Sequence, residues 1–316
     1  MPAPDSEQIS SEQKRKAETL RALHAAAEPL VLVNVWDIAS ARMIEKAGFP
    51  AIATSSAGIA FAQGFPDGQK IHPDRMMAAI AQIAHAVNVP VTADVEAGYG
   101  EAPERAARTA RHVIFGGAVG MNLEDATGEP KCPLADHSLQ VERILAVCET
   151  AQKYDIALVL NARTDVYLLQ VGESGKRYDE TLRRLRAYRD AGADCLFVPG
   201  LRDAQTIGRL VKELNCPVNI LAVPGAPPVA ELAALGVKRI SLGSGPMRSS
   251  LGHLRRLAEE VKNAGTYDLL QGAPSYPEMN ALMAAKMSVK MSTKRNSPTR
   301  VGHKTVRHKT VRNKKN

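Results

Sequence analysis

Short apolar runs recur along the chain at 30–35, 51–54, 89–93, 119–123, 157–161, 195–198, 218–222 and 239–242. Each is too short for a helix and is bounded by Gly, Pro or polar residues, the pattern of a strand buried on both faces. The stretches between them (74–86, 103–115, 138–153, 178–191, 203–214) are alanine-rich and place apolar residues at helical spacing. Gly48, Gly117, Gly192 and Gly236 stand where such helices end, and glycine there takes the left-handed turn that closes a helix. Eight strand–helix units predict an α/β protein, a (β/α)8 or TIM barrel over 30–265. The rival, an open doubly wound sheet, lacks a GxGxxG after the first strand. Residues 1–29 are expected to add an N-terminal helix (6–27) that plugs or flanks the barrel. A helix at 246–264 carries Leu251, Leu254, Leu257 and Val261 on one face. A C-terminal helical extension over 266–288, with a short helix at 276–287, is expected to pack or meet another subunit.

Charge changes the picture only at the C-terminal end. The formal net charge is +8, but 286–316 holds 11 Lys or Arg and no acid, which leaves 30 basic against 33 acidic residues, about −3, before it. Residues 289–316, with the repeat His303-Lys304-Thr305-Val306-Arg307 and His308-Lys309-Thr310-Val311-Arg312, read as a disordered basic tail. Such a tail could tether phosphates non-specifically or be dispensable; nucleic acid is not expected as a partner of the body. No apolar run reaches 18 residues and no signal-peptide core opens the chain, so no membrane association is expected. Cys132, Cys148, Cys195 and Cys216 lack CxxC spacing, as fits reduced thiols of a cytoplasmic protein.

The chemistry concentrates where strands end, the place barrels use for their sites. The third run leads into Asp94-Val95-Glu96-Ala97-Gly98-Tyr99-Gly100. Strand alternation would aim Asp94 and Glu96 to the same side, where two adjacent carboxylates call for a cation. Other strand ends supply Trp36 and Asp37, Ser55, Ser56 and Ala57, Glu124 and Asp125, and Arg163 and Asp165. Carboxylates facing one arginine suit Mg2+ and an anionic substrate, since magnesium takes oxygen ligands and keeps several waters. Plainer readings exist: Asp125 and Asp165 could cap the following helices, Ser55 and Ser56 could be turn residues, and Arg163 could neutralise a neighbouring acid.

These residues resemble the isocitrate lyase and phosphoenolpyruvate mutase superfamily over 30–251. The marks are Ser55-Ser56 with Phe65-Pro66-Asp67-Gly68, the segment from Asp94 to Gly100, Leu123-Glu124-Asp125, and Ala162-Arg163-Thr164-Asp165. The resemblance implies a (β/α)8 barrel, Mg2+ or Mn2+, enolate chemistry on small oxo acids, and homodimers or homotetramers that often exchange the last helix. It implies metal roles for Asp94, for Glu96 (where the family commonly has aspartate) and for Glu124. It assigns Arg163 to the substrate carboxylate, Ser55 with the amides of Ser56 and Ala57 to the pyruvate-like end, and Asp67 to the reacting centre. Trp36 and Asp37 are carried as substrate-side candidates. Cys132 stands at the offset of the family's catalytic cysteine, but Pro133-Leu134 replace its Gly-His, which removes an activating cation.

The expectation is a Mg2+-dependent carbon–carbon lyase or decarboxylase acting on a small oxo- or hydroxy-carboxylate. A phosphonopyruvate-type mutase or hydrolase is the alternative, with Gly243-Ser244-Gly245 offering amides to a phosphate. A non-catalytic metabolite-binding barrel with a nucleic-acid-tethering tail is the reading from another class.

Overall fold

The computed structural model describes residues 8–284. The expected basic tail and its tandem repeat lie outside the described residues. All eight apolar runs form strands, and the first is broken at Val33 into β1 (Leu30–Leu32) and β2 (Asn34–Val35). There follow β3 (Ile52–Thr54), β4 (Val91–Asp94), β5 (Gly120–Glu124), β6 (Val159–Arg163), β7 (Cys195–Val198), β8 (Val218–Leu221) and β9 (Arg239–Ser241). Every pairing is parallel. The order β1-β9-β8-β7-β6-β5-β4-β3-β2 begins and ends on the two halves of one segment, which makes a (β/α)8 barrel.

Eleven α-helices lie among the described residues: α1 (Ser11–Ala25), α2 (Ile38–Lys46), α3 (Ser56–Ala62), α4 (Pro73–Ala86), α5 (Pro103–Phe115), α6 (His137–Lys153), α7 (Arg177–Asp190), α8 (Ala204–Leu214), α9 (Val229–Ala234), α10 (Gly245–Asn263) and α11 (Tyr276–Ala284). Four of the turns into the next strand use left-handed glycine, with φ of 89° at Gly48, 88° at Gly117, 107° at Gly192 and 86° at Gly236. Helices α2, α3 and α9 are short and leave little periodicity to read; α3 starts directly on the serines that the sequence presents as a turn.

Helix α1 starts at Ser11, capped by Ser10, and closes the N-terminal end of the barrel. Leu20 is fully buried there, and a Cβ on Gly120, the first residue of β5, would lie 2.8 Å from its Cδ2. Lys238 donates to the carbonyls of Ala26 and Ala27 just before β1, and Arg21 pairs with Asp194 just before β7. With this floor sealed, the opposite rim is left for chemistry. At the other end of the chain α11 rests on α2, where buried Arg42 donates to the carbonyls of Leu282 (3.2 Å) and Met283 (2.6 Å). No helix of the described residues is long and apolar enough to cross a membrane.

Candidate active site

Strand β4 ends on Asp94, and four hydrogen bonds from three neighbours fix that residue. Its backbone N–H donates to Thr54 Oγ1 at 2.9 Å. Oδ2 accepts from the N–H and hydroxyl of Ser56 (3.1 and 2.8 Å), and Oδ1 accepts from Asn122 Nδ2 at 3.3 Å. Ser55 does something different: it caps α3, its hydroxyl accepting from Gly58 N–H at 3.1 Å. Gly58 sits close there: a Cβ would come within 3.1 Å of Trp36 Cβ and 3.3 Å of Ser55 Cβ, so a side chain at 58 would press on both. Trp36 thus props the turn that delivers Ser56 to Asp94. Ser55, Ser56 and Ala57 are all buried.

Glu96 reaches the same region by another route than strand alternation. The strand stops at Asp94, and Glu96 takes a left-handed φ of 51°, a strained conformation for a residue with a Cβ. Gln69 (φ 59°) and Tyr99 (φ 60°) share that conformation, and the three hold one another. Gln69 N–H donates to Glu96 Oε2 at 2.5 Å, Tyr99 OH donates to Oε1 at 3.3 Å, and Tyr99 N–H donates to Gln69 Oε1 at 2.6 Å. Burial, with repulsion from Asp67 and Asp94, pushes the Glu96 carboxyl up to about 7.

The next two strand ends carry an ion-pair triad. Glu124 and Arg163 are register partners on β5 and β6. Arg163 Nη1 lies 2.6 Å from Glu124 Oε2, while its Nε and Nη2 donate to the two oxygens of Asp165 at 2.6 and 2.8 Å. The Phe197 ring lies against the guanidinium, 5.6 Å from its centroid. Burial opposes the charge on Arg163, but Glu124 and Asp165 more than offset it and keep the guanidinium protonated. For Glu124 burial prevails: with Asp165, Asp94 and Glu96 adding repulsion, its carboxyl is raised well above the usual range despite Arg163. Asp67 lies on the exposed loop after α3 with one side toward these acids. Desolvation on that side raises its carboxyl, and Asp94 and Asp165 add to the effect.

Neither Asp125 nor Asp165 caps a helix, contrary to one sequence reading. Asp125 is completely buried and binds across to the neighbouring units. Its Oδ2 accepts from Thr164 Oγ1 (2.7 Å), Tyr188 OH (2.8 Å) and Arg184 Nη1 (3.1 Å), and its Oδ1 accepts from Asp165 N–H (2.9 Å). Asp37 is the residue that caps, with Ser40 completing a capping box on α2. It is exposed, and with Trp36 it lines a cavity of about 350 Å³ between α2 and the start of α10. Cys132 is exposed in a loop closed by the Ala126–Leu134 bridge, its thiol 3.6 Å from the Leu134 carbonyl and bonded to none of the acids above. The loop offered for a phosphate has spent two of its amides: Gly243 N–H donates to Asn34 Oδ1 (2.9 Å) and Gly245 N–H to the Leu242 carbonyl (3.1 Å).

The structure therefore gathers Asp94, Glu96, Glu124, Arg163 and Ser56 at the rim. It gives Asp37 a helix to cap, places Cys132 on an exposed loop, and adds Gln69, Tyr99, Asn122 and Asp165 as supports. Among the described residues no three His, Cys, Asp or Glu side chains converge into a cage for an ion. A hydrated Mg2+ needs no such cage, since one or two carboxylates and several waters suffice. Carboxyls raised by burial first and by one another's repulsion second are the donor set a divalent cation would relieve.

A parallel barrel with acids and one arginine on the C-terminal rim of adjacent strands belongs to the class of (β/α)8 barrels, whose sites sit at that face. The particular family follows from comparison: the phosphoenolpyruvate phosphomutase family model matches residues 20–262, and the chain belongs to that family. A Burkholderia cenocepacia structure described no more closely than as a lyase/mutase is 41% identical, covering 87% of this chain and 98% of its own, with a TM-score of 0.82. An uncharacterized Mycobacterium tuberculosis protein is 33% identical over 82% of this chain and 93% of its own length. The 2-methylisocitrate lyase of Escherichia coli is 27% identical over 78% and 83%. The structure of oxaloacetate acetylhydrolase with its product oxalate is 27% identical over 85% and 94%, with a TM-score of 0.75. Lyases and hydrolases of small carboxylates thus stand among this chain's relatives.

Proposed function

We propose that this protein is a Mg2+-dependent lyase or decarboxylase that breaks a carbon–carbon bond in a small oxo- or hydroxy-carboxylate. The observation that carries the reading is the convergence of Asp94, Glu124 and Arg163 on three adjacent strand ends, with Asp165 gripping the arginine from behind. Arg163 spends three of its five N–H groups on Asp165 and Glu124, and the two that remain suit a substrate carboxylate. Asp94 would hold the cation, with Glu96 and Glu124 beside it; Mn2+ would fit the same oxygens. Bound there, the ion supplies fixed positive charge opposite the enolate charge that develops as the bond breaks. Asp67 and Glu124, whose proton affinity is raised, would hold and pass the proton that the departing fragment releases. Ser56 keeps Asp94 aligned, and the strained Gln69–Glu96–Tyr99 turn keeps Glu96 from relaxing away.

The family's name favours a mutase acting on a phosphonate as the second reading, but the amides spent on Asn34 and Leu242 weigh against a phosphate seat. The test is a panel of oxaloacetate, methylisocitrate, substituted malates and phosphonopyruvate, followed by proton and phosphorus NMR with and without Mg2+. Carboxylate fragments that appear only with Mg2+ support the lyase; a shifted phosphorus signal supports the mutase. No turnover and no metal-dependent binding would sink both. Asp94→Ala should lose at least a hundred-fold in turnover while staying folded.

A further inference from the structure

Directly beneath Asp94, inside the barrel, lies a charge that none of the chemistry above uses. Arg239 opens β9, is 1% exposed, and heads the fully buried side chains by volume. A buried guanidinium normally meets a carboxylate, because taking a lone charge out of water is costly. Arg239 has instead two neutral partners among the described residues. Nη1 lies 3.4 Å from His24 Nε2, Nη2 donates to Asn122 Oδ1 at 3.2 Å, and Nε is buried with no partner. Burial lowers its pKa, and the groups whose fields act in the other direction are the Cys195 thiol and, among carboxylates, Asp94.

Asn122 connects the two. Its Oδ1 accepts from Arg239 Nη2 and, at 2.7 Å, from Asn161 Nδ2, so its amino end must face the other way. That end donates to Asp94 Oδ1 at 3.3 Å. At the opposite end His24 Nδ1 lies 2.8 Å from the Leu20 carbonyl, which leaves Nε2 as the lone pair facing the guanidinium. The contacts form an unbroken path from the floor helix α1 to the rim, with one cation within it and one carboxylate at its end.

We propose that Arg239 is a positioning residue for Asp94, acting through Asn122 from inside the barrel. The guanidinium polarises the Asn122 amide, which aims its N–H at Oδ1 and offsets the charge of a carboxylate that is itself 9% exposed. Asp94 thereby keeps one fixed orientation toward the rim, where the proposed cation would meet it. The inference rests on that reading of Asp94. Supporting groups behind metal ligands commonly change affinity ten- to a hundred-fold when they are removed.

The experiment is Mn2+ binding to the full chain, read from the electron paramagnetic resonance of free Mn2+, with near-ultraviolet circular dichroism to confirm folding. Arg239→Met should weaken Mn2+ binding roughly ten-fold or more, and Arg239→Lys, which restores a cation, should recover part of it. In an Asn122→Ala background the same change at 239 should cost little further, because the bridge is gone. Leu20→Ala, an equally buried floor position, should lower the melting temperature without moving Mn2+ affinity. If Arg239→Met does not fold, Arg239→Gln takes its place with the same expectation. Wild-type affinity in a folded neutral variant, or an undiminished loss in the Asn122→Ala background, overturns the proposal while the Asp94 reading stands. A wild-type chain that binds no Mn2+ overturns both.

Discussion

Asp125 follows Glu124 by one peptide bond, yet the two acids work in opposite directions. Glu124 keeps Oε1 free of any partner among the described residues, whereas Asp125 spends both oxygens on the loop after β6 and on α7. Asp125→Ala should destabilise the protein by about 3 kcal/mol in chemical denaturation, because Arg184 and Tyr188 are left buried with a missing partner. His24 gives a second residue-level expectation. Burial, with Arg239 and Arg21 adding repulsion, lowers its pKa from 6.5 to about 4. Between those values the unfolded chain takes a proton that the folded chain refuses, so stability falls as pH falls through this window. The contribution is complete above about pH 6.5 and amounts to about 3 kcal/mol. His24→Gln should flatten that part of the profile when denaturation at pH 7 is compared with pH 4.5. Which acids would line the rim was legible, because strand ends can be counted. Asp125 and Asp165 were not separable from helix caps, since an acid after a strand looks the same in sequence whether it binds a helix end or a distant arginine.

Among elements, the strands were the most legible and the turns after them the least. Apolar runs name a buried strand by composition, but nothing in Asp94-Val95-Glu96 announces that the chain leaves the extended region at Glu96. That change depends on Gln69, which is brought in from the loop after α3. Helix α3 was missed for a related reason: at seven residues it has too little periodicity, and its role comes from contact with Trp36. Gly58→Ala tests this element. Alanine suits a helix by about 1 kcal/mol over glycine, so the melting temperature should barely change. The new methyl group must push Trp36 or Ser55 aside, and turnover should fall about ten-fold as Ser56 shifts from Asp94.

At the scale of the whole molecule, the described residues leave an apolar surface exposed. Leu251, Leu254 and Val261 on α10 are 47%, 57% and 52% exposed, and Tyr267, Leu270 and Tyr276 beyond it are 70%, 52% and 82% exposed. Apolar residues in a row on one surface mark a contact with another chain more often than with water. We propose a homodimer or homotetramer formed through α10 and the segment after it. Sedimentation of the full chain should report a mass above 34.0 kDa, and Leu251→Glu with Leu254→Glu should return it to the monomer mass. The same monomer mass in both would remove the proposal.

The break at Val33 also bears on how the molecule is made. The ring closes only when Leu30–Leu32 meets Arg239–Ser241, strands more than two hundred residues apart in sequence. A nascent chain that has not yet released β9 carries the eight strands β1 to β8 and an open edge, a pairing surface for another unfinished copy. Closure is therefore expected to be the rate-limiting step of folding, and weakening β9 should slow refolding more than an equal loss in β4. Because Arg239 is the first residue of that last strand, the barrel is completed and its interior cation delivered in the same event.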